Sequence, residues 1–336
     1  MEQGENAQGK PSPHLQSHMS GPSIEGADDR ITVAQPEEGI FPVVCGHMDE
    51  GGKVHRMVHF RAPTGEEEDL WSNDSIPYSA KVTEMLVRCT KRFGDVANPG
   101  EIRQIVRNAP QGVRLDMLLA LRTFSNYHEA GWIYKMEMKC QGRECSREDA
   151  PPFSVDVNLF EVGKYTPRFP NQDEYECFLP GAKVPIKWHR MRSIGDQIIE
   201  AVASNKNTRK FIATWSIVVR LMEYDGQDVS IGPDDVLDKN GRRLLDINGR
   251  GARRMSKRGA QAYKTARSLL TSDRDFLRSE FLENEPAIDL DVEAECPLCG
   301  YLNRGMLDMN QSSFLFPRAT LTLSKRTFSN SWKDGI

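Results

Sequence analysis

The sequence predicts an α+β fold, with two related repeats of helices packed with short antiparallel strands. Each repeat carries a cysteine-knuckle hairpin. Three observations predict this. Apolar residues recur at helical spacing in several segments, and short alternating runs lie between them. A strand, cysteine pair, strand order also occurs twice, around Cys140 and Cys145 and around Cys296 and Cys299. A hydrophobic share of 38% in 336 residues is enough for a sizeable core.

The elements follow in order. Residues 1–38 are rich in Gly, Pro, Ser, Gln and Glu, too polar to offset chain entropy, and read as a disordered tail. GIFPVVCGHMDEGGKVHRMVHFRAP reads as a hairpin around the turn signal DEGG. Thr64 caps a helix whose Glu66, Glu67 and Glu68 suit the positive end of its dipole, as a surface feature. SAKVTEMLVRCTKRFGD places Val82, Leu86, Cys89 and Phe93 on one helical face that stops at Gly94. EIRQIVRNA and VRLDMLLALRTFS are further helices, the second with Leu115, Leu118, Leu119 and Phe124 on its apolar side. WIYKMEMKC and FSVDVNLFEV alternate as strands on either side of the Cys140–Cys145 pair, with Phe153, Val155 and Val157 on one face.

The second half repeats the plan. AKVPIKWHRMRSIGDQII gives a strand and a helix capped at Ser193, and Lys210 to Glu223 is apolar and helical. SDRDFLRSEFLENEP is a helix with Ser or Asp near its cap, AIDLDVEAEC a strand, and GMLDMNQSSFLFP the strand after the second knuckle. Arg114 lies 26 residues before Cys140, and Arg274 lies 22 before Cys296. The shared order predicts an internal duplication, with repeats at 39–168 and 169–318 and an extension at 319–336. The second repeat carries a basic insertion at about 239–267. From Arg242 to Arg267 it holds nine basic residues and one acid, Asp246, with NGRG and KRG marking it as loop. It reads as a solvated loop or as a contact for an acidic partner. An acidic protein surface fits better than nucleic acid, since Tyr263 is the only aromatic residue there.

Composition limits the function. A net charge of -4 argues against nucleic-acid binding by bulk electrostatics. No run is long and apolar enough to span a bilayer, and the N-terminus lacks a signal-peptide pattern, so a cytosolic setting is expected. In a reducing compartment close cysteine pairs read as metal ligands, while Cys45, Cys89 and Cys177 read as small apolar residues. CPLCG suits a zinc knuckle, because Pro and Gly make a tight turn that aims both sulfurs at one point. CQGREC is looser. Cys140, Cys145, Cys296 and Cys299 together make a candidate site for one structural zinc, which would join the repeats. The alternatives are relic pairs without metal, or a redox pair. The last is disfavoured because the cysteines end a strand and do not open a helix. His47, His55 and His59 read as surface histidines on a strand pattern, and form a candidate hydrolase group only if a carboxylate joins them. There is no HExxH, phosphate loop or nucleophile elbow, so no catalytic residue or bound organic cofactor is expected.

The order GGKVHRMVHFRAPTGEEEDLW, LVRCTKRFGD, LDMLLALR, cysteine pair and closing FLFP resembles the baseplate hub assembly proteins of contractile-tailed phages and related injection systems. The likeness covers about residues 40 to 318, and its weight lies in the order of motifs. CQGREC departs from the family's CPxCG knuckle, and the basic insertion lies outside its pattern. The resemblance implies a non-enzymatic tail component or an assembly chaperone. Its partners would be hub or tape-measure proteins, and its setting the host cytoplasm during assembly or the tail baseplate. The rival reading is a zinc-ribbon nucleic-acid-binding protein, carried by the knuckle and the basic segment.

Overall fold

The computed structural model describes residues 39–48, 52–125, 132–143, 145, 151–248, 254–309 and 312–316. The predicted tail, the DEGG turn residues 49–51 and the extension from 319 lie outside the described residues. The fold is α+β, with helices beside several small antiparallel sheets.

Strands β1 (Ile40–Met48) and β2 (Val54–Phe60) pair antiparallel, as the hairpin pattern predicts. Helix α1 (Gly65–Ser72) starts after Thr64. Its cap runs in the reverse sense: the Glu67 carboxylate accepts from the Thr64 amide and hydroxyl, each at 2.8 Å. Glu67 is not a surface group, because Arg61 pairs with it and both its oxygens are buried. Helix α2 (Tyr78–Cys89) ends earlier than its apolar spacing suggests, and β3 (Thr90–Phe93) pairs with β2. Phe93 keeps its place in the core but reaches it from a strand. An open β2 edge draws four residues out of a helical pattern because their amides gain ladder partners there.

Helices α3 (Pro99–Asn108) and α4 (Gln111–Ser125) follow, the first capped by Asn98, whose side chain accepts from the Gly100 and Glu101 amides. Strands β4 (Ile133–Met138) and β5 (Phe153–Asn158) form a hairpin, and β6 (Lys164–Tyr165) leads out of it. Then come β7 (Glu174–Phe178), β8 (Pro185–His189), α5 (Ser193–Ser204), α6 (Lys206–Arg209), α7 (Ile212–Val218), β9 (Leu221–Tyr224), β10 (Gln227–Asp228) and α8 (Pro233–Val236). These strands make one sheet of order β10-β9-β8-β7. Ser193 does not cap α5. It is the first helical residue, and its hydroxyl meets that of Thr83 at 2.6 Å.

KRG is not a loop. It opens α9 (Lys257–Ser268), where Ser256 is the N-cap and accepts from the Gly259 amide at 3.0 Å. Gly259 fits because a Cβ there would come within 2.8 Å of the Asp235 carbonyl. After α10 (Thr271–Asn284), β11 (Ala287–Ile288) pairs with β6. Asp273 does not cap α10. It is buried and accepts from the Gly181 and Ala182 amides in the β7–β8 turn. Strands β12 (Asp291–Glu295) and β13 (Leu302–Met306) form the last hairpin, followed by the helical turn α11 (Ser312–Leu315).

Two cores result. The first is built from β1–β3, α2–α4 and the β4–β5 hairpin. It also takes Leu290, Val292, Leu307, Met309 and Phe314 from the end of the chain. The second gathers Trp188, Trp215, Ile198, Val218, Leu277 and their neighbours between residues 175 and 281. The chain therefore enters the second core near Tyr175 and is back in the first by Ile288. FLFP is not part of a strand: Phe314 sits in the turn α11, fully buried, 5.5 Å from the Tyr134 ring. It belongs to the first core, not to a core of the second half.

Candidate metal centre

The centre lies where the β4–β5 and β12–β13 hairpins meet. In the second hairpin the Cys296 amide donates to the Tyr301 carbonyl at 2.9 Å, and the Gly300 amide donates back to the Cys296 carbonyl at 2.9 Å. Gly300 has φ +69°, a conformation that favours glycine and lets the chain turn directly after Cys299. The backbone amides of Leu298 and Cys299 donate to the Cys296 sulfur and draw its thiol down to about 7. That thiol is therefore already suited to carry charge.

The looser CQGREC reaches the same point by another route. The Cys145 amide donates to the Gly142 carbonyl at 3.0 Å, and the Gly142 amide donates to the Cys140 sulfur at 3.3 Å. Gly142 also sets the approach of the two hairpins, since a Cβ there would lie 2.8 Å from Cβ of Tyr301. The sulfur of Cys140 is 3.6 Å from that of Cys299. The four ligand atoms of Cys140, Cys145, Cys296 and Cys299 all lie within 4.8 Å of one another. Four thiolates about 2.3 Å from a tetrahedral ion stand about 3.8 Å apart, so the spacing fits such an ion. All four cysteines are free thiols. A hydrogen bond with Cys299, desolvation and the nearness of Cys296 push Cys145 up to about 12.

The sequence reading passed over Asn303. It is fully buried in β13, accepts from the Gln141 amide at 2.7 Å and donates to the Tyr301 carbonyl at 2.8 Å. One side chain thus ties the first knuckle to the second. Its only sequence signal is an amide at an inward position of a strand, which needs a partner when buried. Gly305 lets the hairpins stack, because a Cβ there would meet the methyl groups of Met136 and Met138 at 2.8 and 2.9 Å.

The histidines do not converge. His47 faces His55 across β1 and β2, while His59 pairs in register with Ile40 and Arg92. Among the described residues, the four cysteines are the one group of three or more metal-ligating side chains. His47 borders a cleft of about 770 Å³ that also holds Asp173 and Glu174, but both carboxylates pair with Arg192. Burial raises the Cys45 thiol at the same cleft, which keeps it protonated and apolar. Burial likewise holds Cys89 at about 12 and Cys177 at about 11.

No family model, no curated protein and no solved structure matches the chain. Among the described residues no helix is long and apolar enough to cross a membrane.

Proposed function

We propose that this chain is a non-enzymatic protein of contractile phage tails, either a baseplate component or an assembly chaperone of the central hub, acting through protein contacts. The observation that carries the structural half of this reading is the all-sulfur ligand set. Four thiolates fill a tetrahedral shell, whereas catalytic zinc keeps one position open for water or substrate. Cys140, Cys145, Cys296 and Cys299 hold one structural zinc, which fastens two hairpins far apart in sequence and stabilises the folded chain. The phage assignment rests on the ordered motifs that resemble the hub assembly family.

Two related repeats, each with its own knuckle, belong to the same reading. Each half runs hairpin, helices and a third strand on the hairpin, and two consecutive helices, α3–α4 and α9–α10, precede the cysteines; the second half adds β10 and the short α8 before its pair. Two residues join α3 to α4, and two join α9 to α10. Arg114 donates to the Thr83 hydroxyl at 3.2 Å, and Arg274 donates to that of Thr214 at 3.0 Å. Each threonine stands seven residues before the third strand of its half. Contacts alike in partner type and position support descent from one unit.

Mass spectrometry of purified mature particles tests the function. A defined copy number identifies a baseplate component. Absence, together with incomplete tails in a deletion mutant, identifies a chaperone. Normal tails in the deletion mutant refute both. Elemental analysis of the purified chain tests zinc, with one ion per chain expected. The knuckles and the basic segment keep the zinc-ribbon alternative in view, and steeply salt-dependent binding of DNA or RNA would favour it.

A further inference from the structure

The basic segment divides once folded. Arg258 pairs with Asp228, while Lys257, Lys264 and Arg267 ride on α9. Arg242 and Arg243 leave it and join Lys206, from outside the segment, around a cleft of about 450 Å³ whose walls include Ala201, Ser204 and Leu244. The turn that carries the two arginines is fixed from within. One oxygen of Asp238 accepts from the amides of Asn240, Arg242 and Arg243 at 3.2, 2.9 and 3.3 Å. The Asp238 amide donates to the Arg243 carbonyl at 2.9 Å, and Gly241 takes φ +68°. The Asp238 carboxylate is thus engaged by backbone. The side chains of Lys206, Arg242 and Arg243 are exposed, and none makes an ion pair among the described residues.

Three cations on fixed backbone, facing one cleft with no ion-pair partner among the described residues, repel one another in a chain of net charge -4. We propose that this cleft docks an acidic segment of a partner protein. Its carboxylates would meet the guanidinium groups of Arg242 and Arg243 and the ammonium of Lys206, and an apolar side chain would rest on Ala201 and Leu244. The cleft has no aromatic ring for base stacking, and the negative chain as a whole repels a phosphate backbone. The proposal deepens the protein-contact reading and rests on it.

The test is fluorescence anisotropy with the purified full chain and a labelled peptide of repeating Glu-Glu-Leu, at low and at physiological salt. A labelled DNA duplex serves as second probe. Wild type is expected to bind the peptide, less so as salt rises. Arg242→Glu with Arg243→Glu is expected to weaken binding by about 10-fold or more, as charge reversal at a steering site does. Lys91→Glu with Arg107→Glu changes net charge equally at exposed sites elsewhere, and is expected to leave binding within about 2-fold. Circular dichroism and metal content confirm that both variants fold. Equal loss in both variants would reduce the effect to bulk charge and overturn the proposal. So would no binding at low salt, or tighter binding of DNA lost in the first variant. None of these outcomes bears on particle mass spectrometry, so the broader function stands or falls separately.

Discussion

At the ribbon formed by the β4–β5 and β12–β13 hairpins, Cys140 and Cys299 approach from 159 residues apart, and the Asn303 side chain links the two cysteine turns. At the seam between the cores, α2 meets α5 through groups that satisfy one another. Glu200 of α5 accepts from the Tyr78 and Ser79 amides at 2.8 and 3.0 Å and caps α2, whose own N-cap is Pro77. Thr83 meets Ser193, and Arg114 pairs with Asp196. The ribbon brings four thiols together, an arrangement that a bound cation would favour. The chain thus closes its internal interface with its own side chains, while at the junction of its two hairpins the proposed ion would add a fastening to the Asn303 contacts.

The largest expected effect separates the two. Chelation, or Cys296→Ser, should release the ion, whose binding in small zinc sites is worth on the order of 10 kcal/mol. Elemental analysis reads the loss. Hydrogen exchange should show β12 and β13 opening while α2 and α5 stay protected. Equal loss of protection at α2 and α5 would break the comparison and make ribbon and seam one cooperative unit. Unchanged metal content and stability in the Ser variant would remove the zinc staple.

Next comes the seam. Arg114→Met alone should cost about 3–5 kcal/mol in urea unfolding, because it strands a buried carboxylate. Burial already raises the Asp196 pKa, against the pull of Arg114. Arg114→Met combined with Asp196→Leu should therefore recover most of the loss.

Glu67 gives a smaller, pH-dependent effect. The hydrogen bond from Arg61, aided by those from Thr64, holds its carboxyl at about 2, against an ordinary value of 4.5. A depressed carboxyl adds stability that is complete above the unfolded value and is lost as pH falls from about 4.5 toward 2. With Arg61 about a third exposed, Glu67→Gln should cost about 2 kcal/mol at pH 7 after allowance for screening. The difference between the two proteins should vanish near pH 2, as urea midpoints across pH will show.

The smallest effect sharpens the comparison of the halves. Thr214→Val should cost about 1 kcal/mol, the loss of one hydrogen bond from Arg274. Thr83→Val should cost more, about 2 kcal/mol, since Thr83 serves both Arg114 and Ser193. A double-mutant cycle with no coupling between Arg274 and Thr214 would remove that contact from the case for related repeats.

Much of this was legible in the sequence, for local reasons. The first hairpin, α3, α4 and α10 follow from period and turn residues, and CPLCG announces its own turn. Cys140 and Cys145 were readable as ligands only by analogy with Cys296 and Cys299, because CQGREC lacks the proline and the close spacing. What stayed hidden depends on neighbours distant in the chain. Residues 90–93 look helical until β2 offers them a ladder. Phe314 reads as the end of a strand, yet it turns into the first core beside Tyr134. Glu67 looks like one of three dipole-matched acids until Arg61 buries it.

By itself the sequence determined the α+β class, most of the elements and which cysteines are candidates, since these rest on side-chain type and spacing along one strand or helix. Only the tertiary structure decided that both knuckles converge within 4.8 Å, that Asn303 ties them together, and that Lys206 joins Arg242 and Arg243. Such convergence depends on how α4, β11 and the two hairpins pack, and no local pattern specifies the distance between groups that meet only after the chain has folded back on itself.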